Sequence, residues 1–463
     1  MAAPLPQDLV EHALASSRGD DCVVIAHDST SANLRWANNT LTTNGVMRSL
    51  SVSVVSYRAL EGGTASGSVS GSAATFEQVE RLVAAADTAA ESSEAAADAQ
   101  ELVRGPAGVD WHEPSAETSV AVYADFAPAL GDAFRRAESS GRVLYGFVDH
   151  DVTTTYLGSS TGLRLRHVQP TGHWGCTGKT ADLVHSAWVG GATRDFRDVD
   201  ATAMDTELER RLRWSERTVD LHPGRHDTVL PPTAVADLMI YAYWLATARA
   251  AHEGRSAYSH AGGGTRIGET LSHRPVRLLS DPAHPGLETL PFVATASSSD
   301  AASVFDNGLP LQRTSWIEDG RLTALAQTRE TATLTEQPAT PPIGNLVMEV
   351  DGAEARTLDD LLAGVDRGLL VTCLWYIREV DPQSLLLTGL TRDGVYLVEN
   401  GEVTGSVTNF RFNESPLDLL DRFSASSRTV PTFSREWGDY FPRTAMPALR
   451  VPDFNMSTVS QAH

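Results

Sequence analysis

Apolar and polar positions alternate most clearly in the C-terminal half of the chain, and there they predict sheet. Val395-Tyr396-Leu397-Val398-Glu399 and Glu402-Val403-Thr404-Gly405-Ser406-Val407 are β-prone runs joined by Asn400-Gly401. That dipeptide accepts positive φ at both central positions of a type I′ turn, so the pattern predicts a hairpin. Upstream, residues 369–376 (Leu-Leu-Val-Thr-Cys-Leu-Trp-Tyr) form an apolar run of strand length, read as one strand buried on both faces. Residues 314–322 repeat the hairpin pattern around Asp319-Gly320, and both hairpins are expected in one sheet.

The N-terminal half predicts a short helix over 7–18, a strand over 21–26, and half-buried antiparallel strands over 34–39 and 49–55. The Gly/Ser-rich stretch 62–71 reads as a flexible loop. It has neither GK[ST] nor an ordered GxGxxG, so a plain turn or edge strand outweighs phosphate binding. Thr75, with Gln78 three residues on, caps a helix over 76–90. The Ala/Ser/Glu-rich stretch 91–100, followed by Gly105-Pro106-Ala107-Gly108, reads as a linker. Beyond it a helix is expected over 121–139 and strands over 143–148, 153–157 and 162–168. Asp149-His150-Asp151 reads as a charged turn rather than a metal cluster, because alternate strand residues face opposite ways. Residues 221–230 lead into the first strand of a last domain, and Pro232 opens a helix expected to run on through Ala251. The whole is α+β, with mixed, largely antiparallel sheets and flanking helices. Its expected domains are 1–110 (sheet and helix), 111–222 (middle) and 223–463 (large and β-rich).

Composition narrows the function classes. At 463 residues the chain has room for two or three domains, and 41% apolar with 21% charged residues is typical of a globular protein. No run approaches the ~18 to 20 apolar residues of a membrane span. The N-terminus shows no basic and then apolar secretory pattern, so a cytoplasmic location is expected. A net charge of −22 argues against a phosphate-backbone partner and so against nucleic acid. Cys22, Cys176 and Cys373 are far apart, giving neither a disulfide framework nor a cysteine-rich zinc site.

Gly344-Asn345-Leu346-Val347-Met348-Glu349, the helical pattern 358–365, Gly368-Leu369-Leu370-Val371-Thr372 and Glu399-Asn400-Gly401-Glu402-Val403 follow one another in an order and spacing that resembles the TldD/PmbA family, in its PmbA (TldE) branch. Trp36-Ala37-Asn38-Asn39, Tyr156 to Leu163, the segment from His222 to Pro232, Phe305 to Pro310 and Met446 to Val451 fit further family positions. The resemblance covers nearly the whole chain. It implies a role in proteolysis of unfolded or modified peptides, in a two-subunit metallopeptidase whose TldD-like partner holds zinc through HExxxH.

Counting back from Ser256-Ala257-Tyr258-Ser259 sets that motif on residues 239–244, where Met239, Ile240 and Trp244 replace both imidazoles and the glutamate. The resemblance also implies a late cysteine ligand, and no cysteine follows Cys373. No catalytic or metal residue and no cofactor are therefore expected on this chain; the zinc belongs to the partner. His252-Glu253 begins a false HExxH whose next ligand position is Ser256, or Ala257 for HExxxH, and reads as a solvated helix end. A self-sufficient hydrolase using His252, Glu253 and His260 is the alternative, and a non-catalytic peptide-binding scaffold the third reading. The substrate-binding residues stay open. Residues 435–443, rich in aromatics, fit either a partner surface or a flap packed on its own domain.

Overall fold

Residues 4–214 are organised by one long hairpin. Strands β1 (Asp21–Ala37) and β2 (Thr40–Leu60) pair along their length and turn at Asn38-Asn39, both at positive φ, a conformation Asn tolerates. With β3 (Gly63–Ser72), β4 (Arg142–Ser159), β5 (Arg164–Thr180) and β6 (Ser186–Thr193) they form one antiparallel sheet in the order β3-β2-β1-β4-β5-β6. Segments 1–110 and 111–222 thus contribute strands to the same sheet. This computed structural model describes residues 4–460; Met1 to Ala3 of the N-terminal stretch read above lie outside the described residues.

Two expectations change here. The Gly/Ser stretch is the edge strand β3 rather than a loop, because its small residues let the helix Phe76–Ser92 lie directly on it. A Cβ on Gly67 would sit 2.2 Å from the backbone nitrogen of Ala90, inside any tolerable contact. Residues 149–151 lie in the middle of β4, not in a charged turn, since β4 spans both strands expected around them.

Helices α1 (Pro6–Ser16), α2 (Phe76–Ser92), α3 (Phe126–Ser139) and α4 (Ala201–Trp214) cover one face of the sheet. Val24 and Ala26 pack with α1 and α2, while Leu34 and Trp36 pack with α3 and α4. The Thr75 hydroxyl accepts from Gln78 N, as the capping pattern requires. On the opposite face, Val23 and Ile25 meet Phe292, Val304 and Phe305 of the C-terminal part. Further along, that face carries His27, Ser29 and Ser31 on β1 and His167, Gln169, Thr171 and His173 on β5. It is a polar sheet surface turned toward the C-terminal domain.

That domain has a mixed ten-stranded sheet and a mixed six-stranded sheet. Helix α5 (Pro232–Trp244) shares one core with apolar residues of both, among them Val276, Leu278, Trp316 and Met348 of the smaller sheet and Leu369, Leu397, Phe412 and Phe454 of the larger. A helix apolar all round is stable only when enclosed, which is why α5 lies between layers. The Asn400-Gly401 hairpin forms with φ of 54° and 83°. The Asp319-Gly320 hairpin also forms, but in the six-stranded sheet, whereas the first belongs to the ten-stranded one.

The apolar run 369–376 divides. Arg367–Val371 pairs centrally, and Leu374–Asp381 moves to the far edge of the sheet. Thr372 makes the break, since its N–H and hydroxyl both donate to Gly394 O. The helix expected to continue to Ala251 stops at Trp244, and α6 (Ala248–His252) follows after a kink. There Ala326 takes the backbone partners, donating to Ala246 O and accepting from Ala248 N. No helix among the described residues is long and apolar enough to cross a membrane.

Candidate functional site

Helix α5 carries the turn where the sequence comparison sets the metal motif. Met239 and Ile240 are wholly buried, and Trp244 at the end of the helix is 37% exposed. Their surroundings are built by residues 433–443, a strap that crosses α5. Trp437 lies against Tyr241 (5.6 Å between centroids) and Trp244 (5.3 Å), and Phe441 against Tyr243 (5.8 Å). The Trp437 indole N–H donates to Asp237 O at 3.0 Å. The strap therefore packs on its own domain, leaving Tyr440 78% exposed.

One acidic side chain sits in this apolar helix. Asp237 is fully buried; its Oδ1 accepts from Ser434 Oγ (2.5 Å) and Glu436 N (3.0 Å), and its Oδ2 has no partner among the described residues. Burial pushes its carboxyl up to about 7, opposed by those two hydrogen bonds. Glu436 is also pushed up, chiefly by burial. Arg435 is sandwiched between two indoles, 4.4 Å from the Trp375 ring centroid and 4.9 Å from that of Trp188 on β6. This cation–π pair of contacts joins the N-terminal sheet to the C-terminal domain.

The alternative metal residues are not gathered into a site. His252 ends α6, and Glu253 is held between Arg249 (2.6 Å) and Arg255 (2.7 Å), which keep its carboxyl below the usual range. His260 faces Glu269 at 3.5 Å. Among the described residues no group of three or more His, Cys, Asp or Glu side chains could hold a metal ion. The residues present do not fit a zinc ion. A cavity of about 640 Å³ lies beside them, lined by Trp244, Arg255, Asp300, Glu379 and Gln383.

Two further cavities, of about 240 and 450 Å³, flank β6 where the sheet meets the C-terminal domain, and both are bordered by Ala192, Asp198, Pro431 and Thr432. β6 is an edge strand, so among the described residues its outer side has no ladder partner. Asp237 was detectable in the sequence as the lone acid among apolar residues. Arg435 and Trp188 gave no local signal, since their roles arise only from contacts between distant segments.

Comparison with known proteins agrees with this architecture. Residues 223–458 match the family model described as the PmbA/TldA metallopeptidase C-terminal domain. No curated protein matches the sequence. Among solved structures, TldE from Thermococcus kodakarensis superposes with a TM-score of 0.73 at 16% identity, covering 97% of this chain and 99% of that one. A protein from Thermotoga maritima described as a modulator of a DNA gyrase gives 0.75 at 17% identity, with coverage of 97% and 99%. One from Bacteroides thetaiotaomicron, similarly described, gives 0.74 at 14%, covering 98% of each chain. At such identities the likeness concerns the fold.

Proposed function

This chain belongs to the family of the PmbA/TldA metallopeptidase C-terminal domain, and on that premise we propose that it is the TldE-like subunit of a two-component metallopeptidase, acting beside a TldD-like chain that supplies the zinc. The observation that carries the reading is the condition of the α5 turn. Met239 and Ile240 are core residues there, and the strap aromatics Trp437 and Phe441 close over the same helix. A catalytic zinc needs three protein ligands and an open position for water. This turn offers neither imidazole nor carboxylate, and its Met239 and Ile240 positions are enclosed.

The substrate class is an unfolded or modified peptide. A sheet edge can bind such a chain through main-chain hydrogen bonds with little side-chain selectivity, and β6 is an edge strand bordered by cavities. The enzyme would work in the cytoplasm, with no nucleic acid or membrane as partner.

The test is metal content and peptide hydrolysis of the purified chain, alone and after co-expression with an HExxxH-bearing relative. Zinc and cleavage that appear only in a stable complex with the relative support the reading. One zinc per chain with cleavage by the chain alone overturns it.

A further inference from the structure

The cavity of about 240 Å³ between β5, β6 and the C-terminal domain has an unbalanced wall. Arg443 lines it from the end of the strap. Its Nη2 donates to Thr171 Oγ1 and to Pro170 O (3.4 Å). Among the described residues Nε and Nη1 have no acceptor and Arg443 forms no ion pair. A partly buried guanidinium without a counter-ion carries an uncompensated desolvation cost. Burial accordingly pulls the Arg443 pKa down to about 10, opposed by the more distant charge of Glu288.

Of the other charged groups of the wall, two carboxylates are in ion pairs and the third, Asp198, has only a hydroxyl donor. Arg194 pairs with Glu288 at 3.4 Å, Asp195 with Arg197 at 3.6 Å, and Asp198 accepts from Thr193 Oγ1. Gln169 donates through Nε2 to Pro170 O and Glu288 O, both 3.1 Å, so its Oε1 is left to accept from His167 Nε2. Burial lowers the His167 pKa and keeps the ring neutral, so it adds no second positive charge.

We propose that this cavity is a binding site for a carboxylate, held by the free N–H groups of Arg443 against the Gln169–His167 wall. Among the described residues Arg443 is the wall's cation without an ion pair, and a monoanion brings less negative charge beside Glu288, Asp195 and Asp198 than a phosphate dianion would. Guanidinium donors are matched to the carboxylate group. The group could come from a small free acid or from a peptide C-terminus. The inference stands on this cavity alone and does not rest on the metallopeptidase reading.

The experiment is titration of the purified full-length chain, without partner or hydrolysis readout, by calorimetry and NMR. The probes are sodium acetate, N-acetyl-triglycine as the free acid, the same peptide as its C-terminal amide, and inorganic phosphate. The free acid is expected to bind at least about tenfold more tightly than the amide, and Arg443→Met to remove that difference while Arg443→Lys keeps part of it. Acetate binding as well as the peptide acid identifies a small free acid. Tighter peptide binding identifies a C-terminus, and either result upholds the site. Equal binding of acid and amide, tighter binding of phosphate, or no binding of any probe at millimolar concentration overturns it. The acid–amide comparison uses the unaltered protein, so the test survives a variant that fails to fold.

Discussion

Asp237 in the centre of α5 and Ser434 at the start of the strap are joined by a 2.5 Å hydrogen bond between two buried side chains 197 residues apart in sequence. The carboxyl is pushed up to about 7 by burial, with Glu436 raising it and Arg435 lowering it, against ~3.9 in an unfolded chain. Between those values the folded state binds the extra proton, so this group's contribution to stability is complete below about pH 4 and lost as pH rises through about 7. Asp237→Asn keeps an oxygen acceptor for Ser434 and Glu436 and cannot ionise. Urea midpoints from about pH 5 to 8 should shift in the variant's favour by on the order of 2 kcal/mol or more across that range. Parallel pH profiles for variant and parent would refute the assignment.

Trp437→Ala should loosen the strap from α5. The ring contacts Tyr241 and Trp244, and its N–H holds Asp237 O. A loss of about 2–4 kcal/mol is expected, because the ring leaves a void and the carbonyl loses its donor. Chemical denaturation measures it, and a change below about 0.5 kcal/mol would mean the strap is not held there.

Gly308→Ala tests how the C-terminal domain seats on the N-terminal sheet. Gly308 has φ of 86°, and a Cβ there would lie 2.4 Å from Leu163 Cδ1. Strain and contact together should cost about 1–3 kcal/mol. A melting temperature equal to the parent's would contradict this geometry.

Restoring the motif with Met239→His, Ile240→Glu and Trp244→His should not create a zinc enzyme. Two of the three positions are fully buried, so the substitutions remove core packing and bury polar groups, costing roughly 3–6 kcal/mol in sum. Circular dichroism and zinc analysis would report a destabilised chain without stoichiometric zinc; a stable, zinc-loaded variant would contradict the packing described.

His252→Ala and His260→Ala should leave the hydrolytic rate of a reconstituted complex within about twofold of the parent. Both lie outside any metal-holding group among the described residues. A loss of a hundredfold or more with zinc release would return the active centre to this chain.

What the sequence determined by itself is what short-range chemistry controls. The Asn400-Gly401 and Asp319-Gly320 turns formed because positive φ is chosen locally, and Thr75 capped its helix through a neighbour three residues away. The α+β class and the family were legible for a similar reason, since both rest on an ordered series of such local patterns. Tertiary structure decided the rest. Residues 63–72 became a strand because α2 packs on their glycines, the run 369–376 broke where Thr372 found Gly394, and α5 stopped where Ala326 took its backbone partners. The candidate sites follow the same division. Met239, Ile240 and Trp244 could be identified by counting along one helix, whereas the strap over α5 and the unmatched charge of Arg443 depend on segments far apart in sequence, whose electrostatic and packing consequences appear only when the chain brings them together.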